Sequence, residues 1–180
     1  AIEAAGLAPA QPDLTAIAEA KSHEDVARLM GLADLPVNGP ISISTGLDRK
    51  NPDRYSVDLN QSGLGMPDRD YYLKDDPKFV EARTQYRAYI EKMLTLAGYP
   101  DAAKQAAAIV KLETGMAKLH WPREKRRDRD LTYNPKSQAE LKAFAPEFPW
   151  DAALDGAGIP AQDFFIVFEL DAVDALAKLF

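Results

Sequence analysis

Three places in this sequence bring chemistry-bearing side chains close together. "HEDVA" at 23–27 begins like a His-Glu-x-x-His helix, which sets two imidazoles on one face beside a general base and so holds a catalytic zinc. The second ligand position is Ala27, so His23 reads as a solvated histidine opening a capped surface helix. "GLG" at 63–65 opens like a phosphate-binding loop, but the third glycine and the Lys-Ser/Thr ending are missing. Its glycines read instead as points where the backbone needs angles or approaches that a side chain would block, with Pro67 starting a single helical turn. Glu113 and His120 lie seven residues apart on one stripe with Val110, Met116 and Ala117. Their separation, about 10.5 Å of axial rise, is too long for both to reach one ion readily. A carboxylate on an apolar stripe is costly to bury unpaired, and the basic run "WPREKRRDRD" follows at 121–130. That order predicts an ion pair from Glu113 to Arg126 or Arg127. There is no cysteine, and neither histidine falls in a recognisable nucleophile triad. On residues alone no catalytic, cofactor-binding or metal-ligating residue is assigned.

The elements that must carry these residues are mostly helical. Asp13 and Ser22 read as caps of helices near 14–20 and 23–31, with Asp25 at the third position of the second. "PVNGP" (36–40) is a loop. "ISISTGL" and "RYSVDLN" alternate apolar and polar residues on either side of an Asn-Pro-Asp turn, which predicts an antiparallel hairpin over about 41–60. Pro77, at a first helical position, begins a long helix with Phe79, Tyr86, Ile90, Met93 and Ala97 on one face, closed by Gly98. A second long helix covers about 101–119. Ser137 and Glu140 form a capping box for a helix at 138–144, and Trp150 opens another that stops at Gly156 or Gly158. "FFIVF" (164–168) is too short for a helix and reads as a buried strand. The last residues form an amphipathic helix with Val173, Leu176, Ala177 and Phe180 inward. The fold class is mostly α with a small β component, one hairpin and one short strand.

Composition narrows the classes of function. A net charge of −6, with acids interleaved in the basic run, argues against nucleic acid as a partner. No apolar run approaches the roughly 20 residues of a membrane span. The first residues, "AIEAAGLAPAQP", have neither the basic start nor the apolar stretch of a signal peptide. Residues 1–180 form a single partial domain on this reading.

"SGLGMPDRDYYL" (62–73) resembles a signature of the neprilysin and endothelin-converting-enzyme family of zinc metallopeptidases. Gly63, Leu64, Gly65, Pro67, Arg69, Asp70, Tyr71 and Tyr72 carry it, and Met66 replaces a leucine. "DRKNPDRYSVDLNQ" is similar to the hairpin before that signature. "KLETGMAKLHWPREKRRDRDLTYN" is similar to a Leu-Glu helix followed by a charged run and Tyr-Asn, on Leu112, Glu113, Ala117, Arg127, Asp128, Tyr133 and Asn134. The resemblance runs from about residue 6 to the end. It implies a two-lobed metalloendopeptidase in which a C-terminal lobe carries the zinc helix, a further glutamate ligand and the catalytic groups. A helical N-terminal lobe caps the cavity and limits substrates to peptides. This chain matches only a middle part of that N-terminal lobe. It is therefore expected to be a fragment without zinc of its own, inactive alone, and to have peptide substrates and the catalytic lobe as its partners. The absence of cysteine departs from the family's eukaryotic members and points to a bacterial relative working in the periplasm or outside the cell. A stand-alone helical binding module without catalysis is the other reading. The reading frame beyond Phe180 separates the two.

Overall fold

The structure is a computed structural model and describes residues 6–35, 37–159 and 161–180. Of the 36–40 loop, Pro36 lies outside the described residues. After a 3-10 turn at Ala8–Ala10 come α1 (Gln11–Glu19), α2 (His23–Gly31), β1 (Ile41–Leu47), β2 (Tyr55–Gln61) and the single turn α3 (Asp70–Leu73). The long helices α4 (Pro77–Leu96) and α5 (Ala102–Leu119) follow, then α6 (Arg123–Arg126) and β3 (Asn134–Lys136). The chain continues through α7 (Gln138–Phe144), α8 (Trp150–Gly156), β4 (Phe165–Val167) and α9 (Leu170–Leu179). No helix among the described residues is long and apolar enough to cross a membrane.

Two compact units form. The first joins the residues up to Ser62 with Arg123–Phe180 and is built on a four-stranded sheet of order β1-β2-β4-β3. β1 pairs antiparallel with β2, β2 pairs parallel with β4, and β3 pairs antiparallel with β4. β4 is thus interior, and Phe165, Ile166 and Val167 are all buried, as the unbroken apolar run requires of a strand covered on both faces. α9 lays Val173, Leu176 and Ala177 into the core and packs on β1 and β2. Helices α2 and α8 pack closely. A Cβ at Gly31 would collide with the Ala153 carbonyl, and one at Gly156 with the Arg28 carbonyl.

Ser22 and Ser137 make the expected capping boxes with Asp25 and Glu140. The Lys21 N–H, with the Ser22 hydroxyl and N–H, holds the Asp25 carboxyl below the usual carboxylate range, and the Ser137 N–H does the same for Glu140. The hairpin and the 164–168 strand are present, and they lie in one sheet. Other expectations change. Asp13 sits in the first turn of α1 and caps nothing, because Pro12 lets the helix begin at Gln11. β3 was not expected: it is short and contains Pro135, which an edge strand accommodates because its missing N–H is needed by no neighbour.

The second unit, Gly63–Pro122, packs α4 against α5, with α3 against both. Gly98 closes α4 in the left-handed region at φ 78°. Ile90 faces inward as expected, but Met93 is 47% exposed.

Candidate functional site

The 63–73 segment is held by a buried carboxylate. Tyr72, 5% exposed on α3, donates its hydroxyl hydrogen to Glu113 Oε2 at 2.6 Å and accepts from the Met66 N–H at 2.9 Å. Tyr86 on α4 donates to Glu113 Oε1 at 2.9 Å. Burial, and then the bond to Glu113, push both phenol groups above their ordinary value. Met66, Tyr72 and Ala117 form a small core, with Leu64, Tyr71, Leu73 and Tyr86 packed on it. Arg69 Nε donates to the Ala117 carbonyl at 3.2 Å. Arg83 on α4 donates to the carbonyls of Tyr71 and Lys74.

The glycines of this segment have separate tasks. Gly63 takes φ 89°, which L side chains rarely adopt. Gly65 leaves room for the tyrosine: a Cβ there would overlap the Tyr86 hydroxyl and lie 3.2 Å from Glu113 Oε1. The helical turn begins at Asp70, not at Pro67, with Asp68 Oδ1 accepting the Asp70 N–H at 3.0 Å.

Glu113 is buried as predicted, but its pairing is not the predicted one. Two phenols from two other elements satisfy it in place of an arginine. Arg126 is committed elsewhere, with Nε 2.8 Å from Glu169 Oε1.

Glu169 and Asp48 are buried carboxylates in the first unit that the sequence reading missed. Glu169 Oε2 also accepts the Gln61 N–H at 2.9 Å, ending the β2 edge where β4 has run out. Its signal was its place directly after the apolar strand. Asp48, at the start of the hairpin turn, accepts from Arg54 at 2.7 Å, from the Lys50 N–H at 2.9 Å and from the Tyr133 hydroxyl at 2.9 Å. The Arg54 guanidinium holds the Asp48 carboxyl below its usual range against the opposing effect of burial. Burial and the same carboxylate push the Tyr133 phenol up.

The two histidines fall in different units. His23 is exposed at the start of α2, its ring 5.3 Å from that of Phe180, while His120 caps α5 and is buried. Among the described residues no group of three His, Asp or Glu side chains gathers where a metal ion could be held.

The sequence profile of peptidase family M13 matches residues 1–180. The chain is 35% identical over 144 residues to endothelin-converting enzyme 1 of Cavia porcellus, covering 77% of this chain and 19% of that protein. The zinc metalloprotease Zmp1 of Mycobacterium tuberculosis, solved with an inhibitor, superposes with a TM-score of 0.89 at 32% identity, over 98% of this chain and 28% of that one. PepO of Lactobacillus rhamnosis shares the fold, with a TM-score of 0.70 at 16% identity over 98% of this chain and 28% of that one. The chain thus spans about a fifth of the curated relative's length. With the match running the whole length of the sequence, this chain belongs to peptidase family M13.

Proposed function

We propose that this chain is part of the capping lobe of a zinc metalloendopeptidase, a non-catalytic wall that restricts the active site to peptides. The observation that carries the reading is the family match over the full 180 residues, together with fold agreement to a zinc metalloprotease at a TM-score of 0.89. The residue chemistry supports it. Glu113 and Asp48 each have donors from other elements, and Glu169 is held by the edge of β2 and by Arg126. Such carboxylates fix backbone and are not free to exchange protons with a substrate.

Zinc does not fit the donors present here. His23 stands alone on its helix beside Ala27, and the described residues bring no three ligands together. Zinc and the water it activates therefore belong, on this reading, to another part of the parent protein. The contribution of residues 1–180 is shape and access, with the catalytic lobe and peptides as partners. A bacterial, exported setting is part of the same proposal: the bacterial origin rests on the absence of cysteine and the placement outside the cytoplasm on the family resemblance.

The test pairs the isolated chain with the intact protein that contains it. The isolated chain should give no stoichiometric submicromolar zinc binding by calorimetry and no turnover of a fluorogenic peptide. The intact protein should cleave short peptides and spare folded proteins. Chelator-sensitive turnover by the isolated chain would refute the non-catalytic role, and cleavage of folded proteins as fast as peptides would refute the capping role.

A further inference from the structure

The sequence holds four asparagines, at positions 38, 51, 60 and 134. An asparagine can modify itself when the backbone nitrogen of the next residue is at liberty to attack its side-chain carbonyl carbon. A carbon–nitrogen bond forms and closes an imide ring. Ammonia leaves, carrying both carboxamide hydrogens and the one from the backbone nitrogen. Water then adds to either imide carbonyl, its hydroxyl going to carbon and its remaining hydrogen to nitrogen. One opening gives aspartate. The other gives isoaspartate, in which the main chain runs through the former side chain.

The surroundings disarm three of the four. Asn51 and Asn134 precede Pro52 and Pro135, which have no N–H to give up. The Asn134 side-chain amide also donates to the carbonyls of Leu131 at 2.8 Å and Val167 at 2.9 Å. Asn60 lies in β2 opposite Ser42, and the following N–H, from Gln61, is spent on Glu169 Oε2 at 2.9 Å. The related Asp155-Gly156 pair lies within α8, where the helical bond to the fourth residue back occupies the Gly156 amide.

Asn38 differs on each count. It is exposed in the loop between α2 and β1, and its side chain makes no hydrogen bond among the described residues. The next residue is Gly39, whose N–H makes none either. Ring closure needs a backbone rotation that strands and helices forbid and a loop allows. Glycine has no Cβ to fend off the approaching side chain. Gly39 is itself seated, since a Cβ there would lie 2.8 Å from Met30 Sδ.

We propose that Asn38 is a self-modifying site, converting to aspartate and isoaspartate through an imide closed by the Gly39 nitrogen. Both products add a negative charge to an already acidic chain. The isoaspartyl product also lengthens the main chain immediately before Pro40, whose carbonyl accepts the Ser62 N–H at 2.9 Å where the hairpin pairing begins. That product presents the substrate group of an isoaspartyl carboxyl methyltransferase.

The test incubates the folded 180-residue chain beside an end-blocked peptide of the sequence 34–42, at several mildly alkaline pH values. Peptide mapping by mass spectrometry reads the exchange of ammonia for water at each asparagine. Transfer of labelled methyl groups by an isoaspartyl methyltransferase reads the isoaspartate. In the folded chain conversion is expected at Asn38 alone, at a rate that rises with pH and stays within several-fold of the peptide's. Asn38→Ser, an exposed change that leaves Gly39 in place, should abolish both signals with the circular dichroism unchanged. An Asn38 that stays intact in the folded chain while the peptide converts would overturn the proposal, because the fold would then hold the two groups apart. So would conversion of Asn60 as fast as Asn38, or methyl transfer that survives Asn38→Ser.

Discussion

Gly65→Ala asks whether the second glycine of the signature exists to admit a tyrosine hydroxyl. The backbone there is not in the left-handed region, so alanine meets no torsional objection. Its Cβ would overlap the Tyr86 hydroxyl and lie 2.7 Å from Tyr86 Cζ. The ring must swing away, and the 2.9 Å bond to Glu113 is lost. A hydrogen bond to a carboxylate is worth about 1.5–3 kcal/mol. Alanine returns about 0.4–1 kcal/mol by restricting the unfolded chain, so the net loss is about 0.5–2.6 kcal/mol. Tyr86→Phe removes the same bond without the collision and should cost about 1.5–3 kcal/mol. Because both substitutions delete one interaction, the double variant should fall short of their sum by at least about 1 kcal/mol. Native-state hydrogen exchange on the 63–122 amides, followed against urea, reads the local stability. Additivity within about 0.5 kcal/mol, the behaviour of uncoupled sites, would refute the reasoning.

Three further outcomes follow from the same geometry. Tyr72 and Tyr86 hold their protons above the ordinary phenol value of 10.0, so their contribution is intact below about pH 10 and is lost as pH rises beyond it. In an absorbance titration at high pH the Tyr72 and Tyr86 phenols should ionise only as residues 63–122 unfold. Ser22→Ala and Ser137→Ala should each cost about 1 kcal/mol in urea unfolding, with helicity lost at α2 and α7. Gly156→Ala should cost more than either cap, because the obstructing Arg28 carbonyl is backbone and has no rotamer to yield.

Features written in neighbouring residues were legible before the structure. A serine three residues before an acid bonds within one turn, so both capping boxes could be read directly, as could Pro77 at a helix start and Gly98 at its end. FFIVF told of a strand buried on both faces because no polar residue interrupts it. Two signals misled at this range. Asp13 has the chemistry of a cap, yet the preceding proline had already set the helix start. Met93 continues the helical period of Ile90 but lies far enough around α4 to face outward. β3 had no local signal, since three residues with a central proline become a strand only because β4 offers an edge.

The partners of the buried acids belong to a different range altogether. Tyr72 and Glu113 are 41 residues apart, Tyr133 and Asp48 are 85, and Gln61 and Glu169 are 108. Spacing along one helix finds neighbours three, four or seven residues away, so the nearest cations were the natural choice for Glu113. Cost explains why phenols serve in their place. Bringing an arginine to a buried acid desolvates a second charge, whereas a tyrosine adds apolar surface and needs to bury only a hydroxyl. Asp48 and Glu169 are buried still more deeply than Glu113, yet arginines serve them because Arg54 and Arg126 reach in while keeping 46% and 42% of their own side chains exposed, so the second charge stays partly hydrated. The signature residues follow from this arrangement. Gly65 clears space for one phenol, Tyr72 supplies the other, and the Met66 N–H orients it. The whole segment is thus committed to one carboxylate by contacts made within residues 63–122.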